Sequence, residues 1–400
     1  MSNQKLKRRL TKIIKSKWAY GILETVCRAL PHKKTISFAS FPDLTDNARA
    51  FYDYLSRTEE KGVFSGYEYV WHVDKNTQIN VQEYPNCTFV RRHTIRSVVK
   101  LFQSDYLIST HGLYNALPLS RRRTSILVSH GMPLKTSGYL NQADIRDGVM
   151  LGDYYIVTSV LYKKLFKDIY HATDDQVLIT GQPRNDWLFE KLSPEKEAHI
   201  RGVGEHIVMY MPTFRKCNLR DVADGDYTED PNKAFGGTKE EWQALNAILK
   251  ESNQVMVVKP HPMDAISNVA LLKDMDSIKV IDDTWLTKHG ILLYQFLAYT
   301  DKLVTDYSNV YVDYLLTNKP IGFFVADLDQ YAANRGFVFS NPMEFMPGKI
   351  FKQFSDLNRF VVEEDYYEQE RKHANSILNE ITEGVACKTL FSQLNEVLTK

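Results

Sequence analysis

The sequence holds no uninterrupted apolar run of about 20 residues, so no membrane-spanning helix of ordinary length is expected. Cysteine is scarce: Cys27, Cys87, Cys217 and Cys387 stand far apart, with no CxxC pair. That spacing excludes a zinc ribbon and fits reduced thiols in a cytosolic protein rather than a disulfide-stapled one. Neither sign of charge dominates, with 50 Lys and Arg against 49 Asp and Glu and a net charge of +1. A nucleic-acid footprint would have to be local, and none is expected. Gly-x-Gly-x-x-Gly, a Walker loop and a Gly-x-Ser-x-Gly elbow are all missing. Their absence removes support from dinucleotide oxidoreductases, P-loop kinases and α/β-hydrolases. The N-terminus lacks the clean apolar stretch of a secretory signal, because Lys and Arg interrupt it.

What is present suits a folded protein of two domains: 400 residues, 44% hydrophobic and 25% charged. The 23 Tyr and 20 Phe suit either a packed core or a surface that meets sugars or lipid headgroups, and composition leaves both open. Residues 1–30 read as a basic amphipathic helix. Leu6, Leu10, Ile13, Ile14, Trp18 and Ile22 recur at helical spacing, among Lys5, Lys7, Arg8, Arg9, Lys12, Lys15 and Lys17. Such a helix can lie in the headgroup layer of an anionic membrane surface, or pack as a solvated helix on its own domain.

From residue 31 onward apolar strands alternate with amphipathic helices, which implies parallel sheets with right-handed crossovers. Pro183, Pro194, Gly202 and Gly204 mark a junction, and residues 217–237 read as a polar, mobile loop. The expected fold is α/β, two facing Rossmann-like domains across a cleft. Their expected bounds are 31–190 for an acceptor domain and 191–370 for a donor domain, with a helical segment at 371–400.

Several strand ends carry chemistry. Ser129-His130-Gly131-Met132-Pro133-Leu134-Lys135 sets a histidine where a strand is expected to end, with a glycine to turn the backbone and a lysine to hold a phosphate. His130 there is either a general base or a ring bonded to a loop carbonyl. Thr110-His111-Gly112 repeats the arrangement one strand earlier, and a structural role is favoured for it. His261, between Pro260 and Pro262, is either a diphosphate contact or part of a tight turn. In Thr305-Asp306-Tyr307-Ser308-Asn309-Val310 a strand runs into a helix expected from Ser308 to Leu316. Its first N–H groups could receive an anion, although plain capping also explains Asp306 or Ser308. Arg215 and Arg335 are candidates for phosphate pairing, each alone equally well a surface ion pair. Asp327-Leu328-Asp329 matches a short metal-binding pattern that is common by chance. No cofactor is certain; a divalent metal such as Mg is left open, with no specific site.

The stretches SHGMPLKTSG, TGQPRNDWL, MYMPTFR, VVKPHP, TDYSNVYVDYLLTNKPIGFFVADLDQY and the following RGF run in order from about residue 125 to 340. Together they resemble the CDP-glycerol glycerophosphotransferase family, the teichoic-acid primases and polymerases. The resemblance implies a GT-B-like fold and a peripheral, monotopic enzyme on the cytoplasmic face of the cell membrane. It implies a CDP-polyol donor, a lipid-linked polymer acceptor and release of CMP. Carried over by position, His130 resembles the base that takes the acceptor's proton. His261, Ser308 and Asn309 resemble the diphosphate-holding group, and Arg215 lies close to the donor. Pro183-Arg184-Asn185-Asp186 resembles an interdomain turn that shapes the cleft. Ser129 stands where the family usually has Trp, Ser308-Asn309 where it commonly has Ser-Ser, and His111 has no counterpart. The alternative on the same scaffold is a glycosyltransferase that uses a nucleotide sugar for cell-surface polysaccharide.

Overall fold

The computed structural model describes residues 25, 29–60, 62–114, 123–213, 237–260, 271–334 and 336–400. The expected basic N-terminal helix and the expected loop at 217–237 lie almost wholly outside them. The chain forms two compact units. The first takes residues up to His130, then Ile145–Arg184 and Val385–Lys400; the second takes Gly131–Asp144 and Asn185–Gly384.

The first unit carries β1 (Lys33–Ala39), β2 (Glu68–Val73), β3 (Cys87–Arg91), β4 (Ser104–Ser109), β5 (Thr124–Leu127), β6 (Tyr154–Val157) and β7 (Val177–Ile179). They form one seven-stranded sheet in the order β3-β2-β1-β4-β5-β6-β7, parallel throughout. β1 and β2 are buried almost end to end rather than on alternate residues, as in a sheet covered by helices on both faces. The helices begin on side-chain caps: Thr94 accepts from the Ser97 N–H, and Ser159 from the Tyr162 N–H. The aromatic residues go largely inside. Phe38 stacks on Trp71 at 5.4 Å, and Tyr52 meets Phe38 and Tyr69 edge-on at 5.5 and 5.3 Å. The last helix, Ala386–Leu398, packs within this unit: Phe391 lies 5.8 Å from Tyr54, and the Gln393 amide donates to the Ile179 carbonyl.

A histidine lies in this core. His72 is fully buried, with Nε2 2.9 Å from the Ser37 hydroxyl and Nδ1 2.8 Å from that of Ser97. Burial, reinforced by Arg123 and Arg92, lowers its pKa from 6.5 to about 3. The unfolded chain therefore takes a proton near pH 6.5 that the folded chain refuses until about pH 3. Stability is complete above pH 6.5 and is lost as the pH falls. Urea denaturation should show a loss of roughly 2 kcal/mol between pH 6.5 and 5 from this group. In His72→Gln that part of the slope should vanish; an unchanged slope would show that His72 is not its source.

The second unit carries β8 (His206–Met211), β9 (Gln254–Val258), β10 (Ile278–Val280), β11 (Lys302–Thr305), β12 (Ile321–Phe324) and β13 (Lys349–Phe351). Its six-stranded sheet has the order β10-β9-β8-β11-β12-β13, again parallel throughout. Trp242, on a helix opened by a Thr238–Glu241 capping box, packs 4.5 Å from Phe354 and anchors the core. The segment read as a junction contains a helix, Pro194–Arg201, with Ser193 as cap and Pro194 in the first turn, where proline is tolerated. β13 was not foreseen, since three residues carry too little pattern. It reaches β12 because Gly348 has no side chain: a Cβ there would stand 2.1 Å from the Ile321 carbonyl oxygen. Gly348→Ala should cost roughly 1–3 kcal/mol in urea denaturation. A neutral result would mean that the β12–β13 pairing adapts freely.

Candidate functional site

In both sheets the order reverses beside the first strand, between β1 and β4 in one unit and between β8 and β11 in the other. In open α/β sheets the carboxyl ends of strands at such a reversal are where ligands bind. His111 follows β4 and Asp306, Ser308 and Asn309 follow β11 at these reversals, while His130 follows β5, one strand away.

In the first unit the ends of β1 and β4 are tied together. The Thr110 N–H donates to the Ala39 carbonyl at 3.1 Å, and the Thr110 hydroxyl accepts the Phe41 N–H at 3.2 Å. His111 follows, its Nδ1 2.7 Å from the same hydroxyl. On the next strand the ladder runs one residue past β5, with the Val128 N–H donating to the Ser109 carbonyl at 2.9 Å. The strand was expected to reach His130 and turn at Gly131. It ends earlier, because Ser129 already has a left-handed backbone (φ 52°) and Gly131 only completes the turn (φ 135°). The turn leaves His130 exposed, with its ring 4.2 Å from the His111 ring and inclined to it by only 15°.

This turn is braced from beneath. Asn47, fully buried, donates through Nδ2 to the Val128 and Ser129 carbonyls at 2.9 and 3.2 Å and to Gln182 at 3.2 Å. Its Oδ1 accepts the Arg184 N–H at 3.0 Å. The Arg184 guanidinium donates to Asp46 at 2.7 Å and to the His130 carbonyl at 2.9 Å. Arg184 belongs to the turn the sequence marked as structural. Asp46 and Asn47 escape the sequence because a polar pair at a helix start reads as capping, and Gln182 shows there only as part of TGQPRNDWL.

In the second unit Asp306 is engaged by the end of β8. Its carboxylate oxygens accept the Thr213 N–H at 3.0 and 2.9 Å, and one also accepts the Thr213 hydroxyl. It thereby ties β8 to β11. Ser308 and Asn309 follow at the half-buried corner. The expected helix from Ser308 to Leu316 is shorter: it spans Val310–Tyr314 and tightens into a 3-10 turn at Leu315–Thr317. Asn309 has helical backbone angles and no capping bond from its side chain. The corner thus offers the N–H groups of one short turn rather than a long helix dipole. Asn185, of the same marked turn, donates to the buried Asp313 at 3.1 Å, which also accepts the Tyr294 hydroxyl at 2.6 Å.

Lys135 falls in the second unit. Its backbone bridges Phe337, while Thr136 N–H donates to the Gly336 carbonyl and Val338 N–H to that of Leu134. It therefore shares a unit with Ser308 and Asn309 rather than with His130. His261, Arg215 and Arg335 lie outside the described residues. Asp327 accepts the Tyr307 hydroxyl at 3.1 Å. Among the described residues no group of three or more His, Cys, Asp or Glu could hold a metal ion. Among them, too, no helix is long and apolar enough to cross a membrane.

Two parallel sheets of Rossmann order in one chain make an α/β scaffold of the GT-B-like class. The profile of the CDP-Glycerol:Poly(glycerophosphate) glycerophosphotransferase family matches residues 22–395. The chain belongs to that family. It is 26% identical to a teichoic acid glycerol-phosphate transferase of Staphylococcus aureus (strain NCTC 8325 / PS 47), over 80% of this chain and 81% of that one. It is 23% identical to a teichoic acid ribitol-phosphate primase of Bacillus spizizenii (strain ATCC 23059 / NRRL B-14472 / W23), over 87% of each. The wall teichoic acid polymerase TagF shares its fold, with a TM-score of 0.74 at 21% identity over 98% of this chain and 95% of that one.

Proposed function

We propose that this enzyme transfers glycerol-phosphate or ribitol-phosphate from the corresponding CDP-polyol to a hydroxyl of a lipid-linked, teichoic-acid-like polymer, releasing CMP. The observation that carries the reading is His130: an exposed imidazole at a parallel strand's carboxyl end, its carbonyl pinned by Arg184 and its turn by Asn47. A base so held can take a proton near neutral pH. His130 removes the proton of the acceptor hydroxyl. That oxygen forms a bond to the phosphorus bearing the polyol, and the bond from that phosphorus to the CMP oxygen breaks. Ser308 and Asn309 supply donors to the donor's diphosphate, with His261, Arg215, Lys135 and Arg335 as the charged or ring groups that stabilise the departing phosphate. Asp306 serves this corner by tethering Thr213. The polymer is lipid-linked and the terminal segment is basic, so the enzyme works peripherally at the cytoplasmic face of the cell membrane.

Incubation with labelled CDP-glycerol, CDP-ribitol and UDP-sugars in the presence of acceptor tests the donor class. CMP release from one CDP-polyol is expected. UDP release alone would replace this reading with that of a nucleotide-sugar glycosyltransferase.

A further inference from the structure

Two imidazoles reach the same strand edge of the first unit, and the reading above, on which this inference rests, uses only His130. His111 is held by its neighbours. The Thr110 hydroxyl accepts the Phe41 N–H, so its own proton is available to His111 Nδ1, 2.7 Å away. With that proton donated to Nδ1, the neutral ring carries its own proton on Nε2. Phe41 meets the ring edge-on, at 5.9 Å. The face of His111 is thereby presented to His130 at 4.2 Å, nearly parallel.

We infer that His111 is a positioning residue for the His130 base: its face fixes the plane of the His130 ring and stabilises the positive charge that ring gains on taking the acceptor's proton. A neutral aromatic face within about 6 Å of a cation attracts it. The charge exists only once the proton moves, so the contact favours the transition state over the ground state. The Arg184 guanidinium is directed to the His130 carbonyl and to Asp46.

The test compares full-length His111→Ala, His111→Phe and His111→Lys with His130→Ala. The readout is CMP release from CDP-glycerol with a lipid-linked glycerol-phosphate acceptor, with donor KM and thermal midpoint measured on the same preparations. His111→Ala should lower kcat by roughly 2- to 30-fold with donor KM unchanged. His111→Phe, which keeps an aromatic face, should restore most of the rate. His111→Lys, which sets a second cation beside the ring, should be slower than His111→Ala. A wild-type kcat in His111→Ala overturns the inference, as does a His111→Phe variant as slow as the alanine one. Should His111→Ala fold poorly, the order of the Phe and Lys variants decides alone. Full activity in His130→Ala would instead sink the base reading itself, an outcome separable from the other two.

Discussion

His130→Ala is expected to lower kcat by roughly 100- to 10,000-fold, the usual contribution of a general base, while CDP-glycerol still binds with near-normal affinity. The two halves of this expectation come from different places in the molecule. His130 stands at the end of β5 in the first unit, whereas Ser308 and Asn309, proposed to hold the donor's diphosphate, stand at the end of β11 in the second. The ring is exposed, so its removal opens no cavity in the core and should leave the thermal midpoint nearly unchanged. Calorimetric titration with CDP-glycerol and single-turnover rates separate the two effects. An equal loss of donor affinity would make His130 a binding group rather than a base.

Arg184→Ala should be damaging in two ways. Arg184 and Asp46 form an ion pair whose side chains are only 6% and 11% exposed. Removing the cation leaves a poorly solvated carboxylate, and loss of one partner from such a pair costs roughly 3–5 kcal/mol. The same guanidinium holds the His130 carbonyl, so the turn carrying the base loosens. A displacement of about 1 Å at a reacting group can cost 100-fold in rate. Arg184→Lys separates the two roles. It retains a charge for Asp46, but its ammonium, on a differently shaped stem, does not stand where one guanidinium nitrogen now serves both Asp46 and the His130 carbonyl. Its stability in urea should be nearer wild type while kcat stays low. A lysine variant with full activity would confine Arg184 to a structural part.

The fold was legible because its strands are long apolar runs punctuated by glycine, proline and cap residues. Runs such as Ile207–Met211 and Gln254–Val258 announce buried parallel strands without any partner in view. The elements that escaped were short or ambiguous. β13 is three residues, and Pro194–Arg201 begins with a proline that reads equally well as a linker. At the site, the His-Gly pairs marked the neighbourhood of two strand ends, although β5 stops at Leu127, short of His130. Which groups lie beneath those ends depends on tertiary packing. Asn47 meets Gln182 and the carbonyls of Val128 and Ser129 across long stretches of sequence. Asp306 looked like a helix cap or a substrate contact, and its tie to Thr213 depends on β8 and β11 being neighbours. The stacking of His111 on His130 likewise follows from β4 pairing with β5, which no local pattern specifies.

Mass spectrometry of the product made from a lipid-linked acceptor and CDP-glycerol or CDP-ribitol is the most direct measurement. The account predicts an acceptor heavier by one or more polyol-phosphate units, with one CMP released for each. An acceptor that gains a sugar without phosphate, or gains nothing while nucleotide is hydrolysed, would contradict it.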